Sequence, residues 1–174
     1  LEGPPEFLAA TDEPWGPAWE NFHAWFQGTD PIRRDLRAGI ALPRCQFPWF
    51  RTSPGILTLD SLAMPHLVIM RRLSALMAVE GNLARKQART RDALDAYLTA
   101  LAMARHVARQ PSLIAGVSAA AMADGIIPLM RRTLEEDAPS AETLSWLARR
   151  LADAESIAPD FTTAFLAEQS CTAK

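Results

Sequence analysis

Hydrophobic positions recur every three or four residues along most of this chain, the pattern of amphipathic helices. The spacing predicts helices over residues 17–27, 30–42, 65–87 and 92–109, a long helix from 112, another over 140–151 and a short final one from 159. Gly125 and Pro128 interrupt the long helix, so we expect a kink or break there. The sequence therefore predicts an all-α fold, a single helical bundle or array of about six or seven helices.

Two segments depart from this pattern. Residues 1–16 are rich in Pro, Gly and acidic residues and are predicted to form an extended arm or linker. Residues 17–174 are predicted to be one helical domain, because 174 residues suit a single hydrophobic core. Within it, residues 43–64 form an irregular, aromatic-rich segment, where prolines exclude a helix while Phe47, Trp49 and Phe50 favour packing on the bundle.

Composition and charge exclude some functions. Hydrophobic residues make up 49% and charged residues 22%, which indicates a folded protein, and the net charge of -2 gives no support for nucleic-acid binding. Residues 64–110 carry eight basic and three acidic side chains, whereas the last 64 residues carry five basic and nine acidic. This asymmetry fits either a surface that steers a partner or complementary faces within one bundle.

The ends of the chain and its two cysteines bear on its location. Cys45 and Cys171 form a disulfide in an oxidising compartment or remain separate thiols, and the sequence leaves both open. Because the chain starts at Leu1 rather than Met, we expect a preceding segment, such as a signal peptide or an anchor. This favours an exported or periplasmic protein over a cytoplasmic one. No uninterrupted run of about 18 apolar residues occurs, so no membrane span is predicted.

One helical pair carries a recognisable spacing. The pair has small residues at Gly81, Ala93 and Ala100 and an aromatic residue at Tyr97. These intervals are those of a tetratricopeptide repeat, so the pair resembles one such hairpin. Small residues at the crossing allow two helices to approach closely, and the aromatic ring fills the adjoining space. Met77 departs from the pattern, which prefers Trp at that position.

A broader resemblance covers residues 37–168. The segments follow this order: PRCQFP, a Leu-rich helix beginning Pro65-His66-Leu67, the stretch DALDAYLTALAMARHVARQPSLI, and a long Ala-rich helix. This order is similar to that of an uncharacterised family of bacterial helical proteins. The resemblance implies a helical fold, no assigned activity, and export or anchoring by an N-terminal segment.

Candidate chemistry is sparse. The three histidines, His23, His66 and His106, lie on separate predicted helices. A metal site would need a fold that brings His66 and His106 together with Cys45, so no metal is predicted. Glu135, Glu136 and Asp137 are interpreted as a solvated helix end. Asp124, which follows an apolar run, is expected to be partly buried in a structural ion pair with Arg71, Arg72 or Arg105.

The leading hypothesis is a non-enzymatic protein-interaction or scaffold module, with no catalytic residue and no cofactor, whose partner is another protein. A groove on the central hairpin would draw on Arg71, Arg85, Arg89 and Arg105. An alternative is a small-ligand-binding or enzymatic domain, with a pocket between the aromatic arm and the bundle that uses Asp124. A third is a structural subunit of a larger assembly, for which exposed Trp15, Trp19 and Trp49 would argue.

Overall fold

A computed structural model describes residues 19–42, 45, 50–51, 62–110 and 112–152. Its helices are α1 (Trp19–Gly28), α2 (Asp30–Ile40), α3 (Pro65–Lys86), α4 (Thr90–Ala108), α5 (Leu113–Glu136) and α6 (Ala141–Ala152). Two strands of two residues each, β1 (Phe50–Arg51) and β2 (Leu62–Ala63), pair antiparallel between α2 and α3. The prediction of an all-α bundle is confirmed.

Local sequence signals account for several helix ends. A proline stands in the first turn of α2 and of α3, where its fixed φ is compatible with the helix and no amide hydrogen is needed. After α3, Ala88 adopts a left-handed φ of 55°, and the amide of Arg89 donates to the carbonyl oxygen of Ala84 at 2.9 Å. Before α6, the Ser140 hydroxyl accepts the Thr143 amide at 3.2 Å, so the predicted cap is present.

The core is built around α4, which packs most extensively against its sequence neighbours α3 and α5. More than half of the residues of α4 are buried. The main apolar cluster joins α3, α4, α5 and Leu147 of α6. A second cluster places Phe26 of α1 against Leu76, Val79 and Leu83, which lie on another face of α3.

The long helix α5 is continuous, so the break expected at Gly125 and Pro128 is absent. Proline lacks an amide hydrogen, so Pro128 leaves the carbonyl of Asp124 without its helical partner. Both Asp124 and Pro128 are exposed, and water can therefore replace the missing donor. The helix tolerates the proline because it lies on the outer face.

Several predictions fall outside the described residues. These are the arm over 1–16, the final helix from 159, Trp15, Trp49, Cys171 and most of the segment 43–64.

Candidate interaction groove

The crossing of α3 and α4 depends on Gly81 and Tyr97. A Cβ atom added to Gly81 would lie 2.2 Å from Cε1 of Tyr97, far inside van der Waals contact. Tyr97, Ala93 and Ala100 are each 0% exposed, so the four positions of the sequence motif are all buried at this crossing. Because Gly81 has no side chain, the ring of Tyr97 occupies the space beside its backbone.

Tyr97 also links α4 to α3 through its polar end. Its hydroxyl donates to Oδ1 of Asn82 in α3 at 2.7 Å. Burial raises the pKa of Tyr97 to about 12, because the phenolate would lose its hydration. This hydrogen bond therefore joins α4 to α3 beside the Gly81 crossing.

Arg85 binds within the chain. Its guanidinium contacts Glu136 at 2.5 Å and Asp137 at 3.0 Å, which joins the C-terminal ends of α3 and α5. Glu136 also accepts from Arg132 at 3.0 Å, and the hydrogen bonds from Arg85 and then Arg132 lower the pKa of this carboxyl. Glu135 and Glu136 are exposed at the end of the helix, as predicted, whereas Asp137 is partly buried against Arg85.

The four arginines predicted for a groove do not converge. Arg89 is exposed and contacts Asp92 at 2.5 Å, and Arg105 is half-buried near the other end of α4. Burial and then the charge of Arg109 lower the pKa of Arg105. The 14 residues from Arg71 to Arg85 span about 21 Å of helix. Arg71 and Arg105 thus lie towards one end of the hairpin, and Arg85 and Arg89 lie at the other.

Asp124 is exposed, which corrects the prediction that it is partly buried. No ion pair within the described part of the chain includes it. The preceding Ala-rich run faces two directions, and Asp124 belongs to the solvent side, whereas its neighbour Ala123 belongs to the core. A carboxylate in that position needs no buried cation.

A groove of about 180 Å³ runs between α3 and α5, and we call it the α3–α5 groove. Small and apolar side chains dominate its lining, and Arg71 is the one charged residue among them: Arg71, Ser74, Ala75 and Ala78 from α3, with Ala121, Met122, Gly125, Ile126 and Leu129 from α5. Of the predicted binding residues, Arg71 is the one that lines this groove.

Large apolar side chains stand exposed on the two helices that form the groove. Val68 and Ile69 on α3 are 55% and 52% exposed, and Ile114 and Val117 on α5 are 43% and 62% exposed. On α5, Ile114, Val117, Ala121, Gly125 and Pro128 recur at three- and four-residue intervals and are all exposed. They form an apolar stripe beside the groove, about 21 Å long.

Helix α5 has a further property. Among the described helices it is the one long and apolar enough, by length and composition, to cross a membrane. In its most apolar stretch of 18 residues, 39% of the residues are buried inside the bundle. The opposite side of the same helix contributes Ala115, Ala119 and Met122 to the main core.

His66 and His106 each have a hydrogen-bond partner from a distant part of the chain. Nε2 of His66 lies 2.8 Å from Oε1 of Gln110, and Nε2 of His106 lies 3.3 Å from the carbonyl oxygen of Ile40. Burial lowers the pKa of His106, because the imidazolium would be poorly hydrated. Cys45 is exposed. Within the described residues, no three His, Cys, Asp or Glu side chains form a group that could hold a metal ion.

A charged network that the sequence did not reveal attaches α2 to the bundle. Arg33 is 8% exposed, and its guanidinium lies 3.8 Å from the centroid of the Phe26 ring. It donates to the Phe26 carbonyl and the Thr29 hydroxyl, both at 2.7 Å, and it pairs with Asp30. Glu80 of α3 lies 3.6 Å from Arg33 and 2.9 Å from Arg37.

Next to this network, a second concavity of about 430 Å³ opens where α2, the start of α4 and α6 approach each other, and we call it the charged cleft. Its lining includes three guanidinium groups, three carboxylates and one indole: Arg37, Arg89 and Arg91, then Glu80, Asp92 and Asp95, then Trp146. Arg37 and Trp146 are distant from the other five in sequence, so no single motif could have indicated the cleft.

Comparison with protein-family models, with curated proteins and with solved structures found no match for this chain. The similarity to a tetratricopeptide hairpin and to a bacterial helical family therefore stays a prediction, whereas the all-α fold is seen directly in the structure.

Proposed function

We propose that this protein is a non-enzymatic interaction module that binds a helix of a partner protein in the α3–α5 groove. The observation that carries the proposal is the apolar stripe of α5, which lies in solvent beside a groove lined by small residues. An apolar helix face that its own bundle leaves uncovered is typical of a surface that buries area against another chain.

The dimensions of the surface suit a helical partner. Ala75, Ala78, Ala121 and Gly125 in the groove lining project little, so a third helix can approach α3 and α5 closely. The exposed stripe from Ile114 to Pro128 spans about four helical turns, enough for anchors at positions i, i+3, i+4 and i+7.

Charge indicates the chemistry of the partner. Arg71 lines the groove and is exposed, with exposed Arg72 beside it on α3. Asp124 is the acid on the stripe side of α5. A partner helix with acidic residues beside its apolar face would complement the arginines. A second copy related by a two-fold axis would bring the same surface, where Arg71 and Arg72 outnumber Asp124, and is therefore a poorer match in charge.

Photo-crosslinking in the native cells tests this proposal. A benzophenone amino acid placed at Ala121, in the groove, is compared with the same amino acid at Ala148, an equally small and exposed position on α6. We expect a crosslink to one partner protein from position 121 and none to that protein from position 148. Peptide mapping should place the crosslink in an amphipathic, acidic helix, and Arg71→Glu should abolish it while Arg149→Glu, an exposed control on α6, should not.

Other outcomes overturn the proposal. A crosslink to a second copy of the chain would make the groove a homo-oligomer interface, and a crosslink to lipid would make α5 a membrane-contacting helix. Equal crosslinking of the same partner from both positions, or no crosslink from position 121, would remove the groove as the binding surface. Circular dichroism of each variant establishes that the helical content is unchanged.

A further inference from the structure

The charged cleft is a second concave site, and it shares no lining residue with the α3–α5 groove. Its volume of about 430 Å³ lies within the range of small-molecule sites and suits an amino acid or a short peptide. Its three guanidinium groups and three carboxylates cancel in charge, so the ligand it complements has no net charge.

The carboxylates of Glu80 and Asp95 lie together on one wall. Arg37 joins them, at 2.9 Å from Glu80 and 3.5 Å from Asp95. A carboxylate accepts several hydrogen bonds, so each of these groups can bind an ammonium group while it keeps its contact with Arg37. Glu80 also lies 3.6 Å from Arg33, so an ammonium group on this wall would bind chiefly at Asp95, the more exposed of the two carboxylates.

Two guanidinium groups lie on the turn between α3 and α4 and at the start of α4. Arg91 stands over the indole of Trp146, with its central carbon 5.1 Å from the ring centroid, and lies 3.5 Å from Glu142. Arg89 binds Asp92 and the side-chain oxygen of Gln87. Each guanidinium has five N–H donors, so both retain donors for a carboxylate. Trp146 orients Arg91 by a cation–π contact.

This separation of charges selects among ligand classes. A polyanion such as a nucleotide would face three carboxylates, and a bare cation would face three guanidinium groups. A neutral sugar that stacks on aromatic rings would compete with Arg91 for the face of Trp146. From the charges, the volume and this stacked arginine, we infer that the cleft binds a small zwitterion, an amino acid or short peptide, with its ammonium group chiefly at Asp95 and its carboxylate at Arg89 and Arg91.

Nuclear magnetic resonance titration of the full chain tests the inference. The reporter is the indole N–H signal of Trp146, assigned by its loss in Trp146→Phe. The probes are L-leucine and the dipeptide leucyl-leucine, each with its N-acetyl and C-amide derivatives. We expect a saturable shift with at least one zwitterion, and about tenfold weaker binding of the derivative that lacks either charge, since a charge-assisted hydrogen bond is lost.

Substitutions locate the two ends of the ligand. Arg91→Gln should weaken binding of the zwitterion about tenfold and leave the weak binding of the C-amide unchanged. Asp95→Asn should also weaken binding of the zwitterion about tenfold, but leave the weak binding of the N-acetyl derivative unchanged. Arg131→Gln, an exposed substitution on α5, serves as the matched control and should have no effect. Both variants are folded if the amide spectrum away from the cleft is unchanged.

The inference is overturned if neither zwitterion produces a saturable shift, or if the capped derivatives bind as tightly as the free ones. It is also overturned if maltose or inorganic phosphate shifts the Trp146 signal at concentrations where the zwitterions do not. Because the groove and the cleft are separate, loss of partner crosslinking at Ala121 would leave this result unaffected.

Discussion

Gly81 and Tyr97 are complementary in shape, with no space between the backbone of one and the ring of the other. We predict that Gly81→Ala lowers the free energy of unfolding by about 1–3 kcal/mol, because the new methyl group would lie 2.2 Å from the Tyr97 ring. The gain in helix propensity from Gly to Ala, up to about 1 kcal/mol, opposes this loss and does not cancel it. Urea unfolding followed by circular dichroism measures the change.

Gly125→Ala is the matched control, since this helical glycine has no atom within 4 Å of an added Cβ. We expect it to stabilise the protein by about 0.4–1 kcal/mol. A double variant tests the cause: Gly81→Ala should cost less in a Tyr97→Leu background, where the ring is absent. Equal costs in both backgrounds would mean that the ring is not the source of the conflict.

Tyr97 should titrate at unusually high pH. It is the only tyrosine in the chain, so phenolate absorbance in the near ultraviolet reports on it alone. Burial raises its pKa from 10.0 to about 12, so the unfolded chain loses the phenolic proton first, and stability is lost as the pH rises between these values. The loss at pH 12 is on the order of 2–3 kcal/mol.

The measurement is an absorbance titration with circular dichroism at each pH. Phenolate should not form near pH 10 while the helices are intact, and it should appear only towards pH 12 or where helix is lost. A titration near pH 10 with the helices intact would contradict the burial of this hydroxyl.

Arg33 should be the most sensitive position of α2. Arg33→Gln removes a buried guanidinium that the Phe26 carbonyl, Thr29, Asp30 and Glu80 all contact. We expect a loss of about 2–4 kcal/mol, because these acceptors lose their shared donor. Arg34→Gln, at the exposed next position on the same helix, should change the free energy of unfolding by less than about 0.5 kcal/mol. Similar effects of the two changes in urea unfolding would show that the network adds no stability.

His106 should make the protein sensitive to mild acid. Burial lowers the pKa of this residue, and the charges of Arg105 and Arg109 lower it further. The hydrogen bond to the Ile40 carbonyl raises the pKa and offsets part of this shift. The unfolded chain therefore binds the proton at higher pH than the folded one, so stability falls as the pH drops below about 6.5. In His106→Gln, the melting temperature should fall less between pH 7 and pH 5 than in the wild type. Parallel melting curves over that interval would exclude His106 as the cause.

The sequence was informative where a signal is local. The spacing of Gly81, Ala93 and Tyr97 predicted the close hairpin, because residues on one helix face meet the partner helix at fixed intervals. The Ser140 cap and the prolines at the starts of α2 and α3 likewise act within one turn. These signals fixed the fold class and most helix boundaries.

The site residues were harder to predict because they depend on which helices become neighbours. Arg85 was assigned to a groove, but it binds Glu136 and Asp137, more than 50 residues away. The charged cleft combines Arg37, Glu80 and Trp146 from three helices. For Asp124, hydrophobic periodicity in a helix rich in alanine did not distinguish the core side from the solvent side.

The central position of α4 has a consequence for how the chain folds. Because α4 packs chiefly against the helices directly before and after it, most of the core contacts are close in sequence. Such short loops close quickly, so we expect α3, α4 and α5 to form the folding nucleus. Helix α2 joins this nucleus through the apolar Leu36 and Ile40 and through charged groups contributed by α3 and α4, which are in place only once those helices have assembled. Its docking should therefore be the late step that salt slows, and the amide hydrogens of α4 should be the last to exchange with solvent.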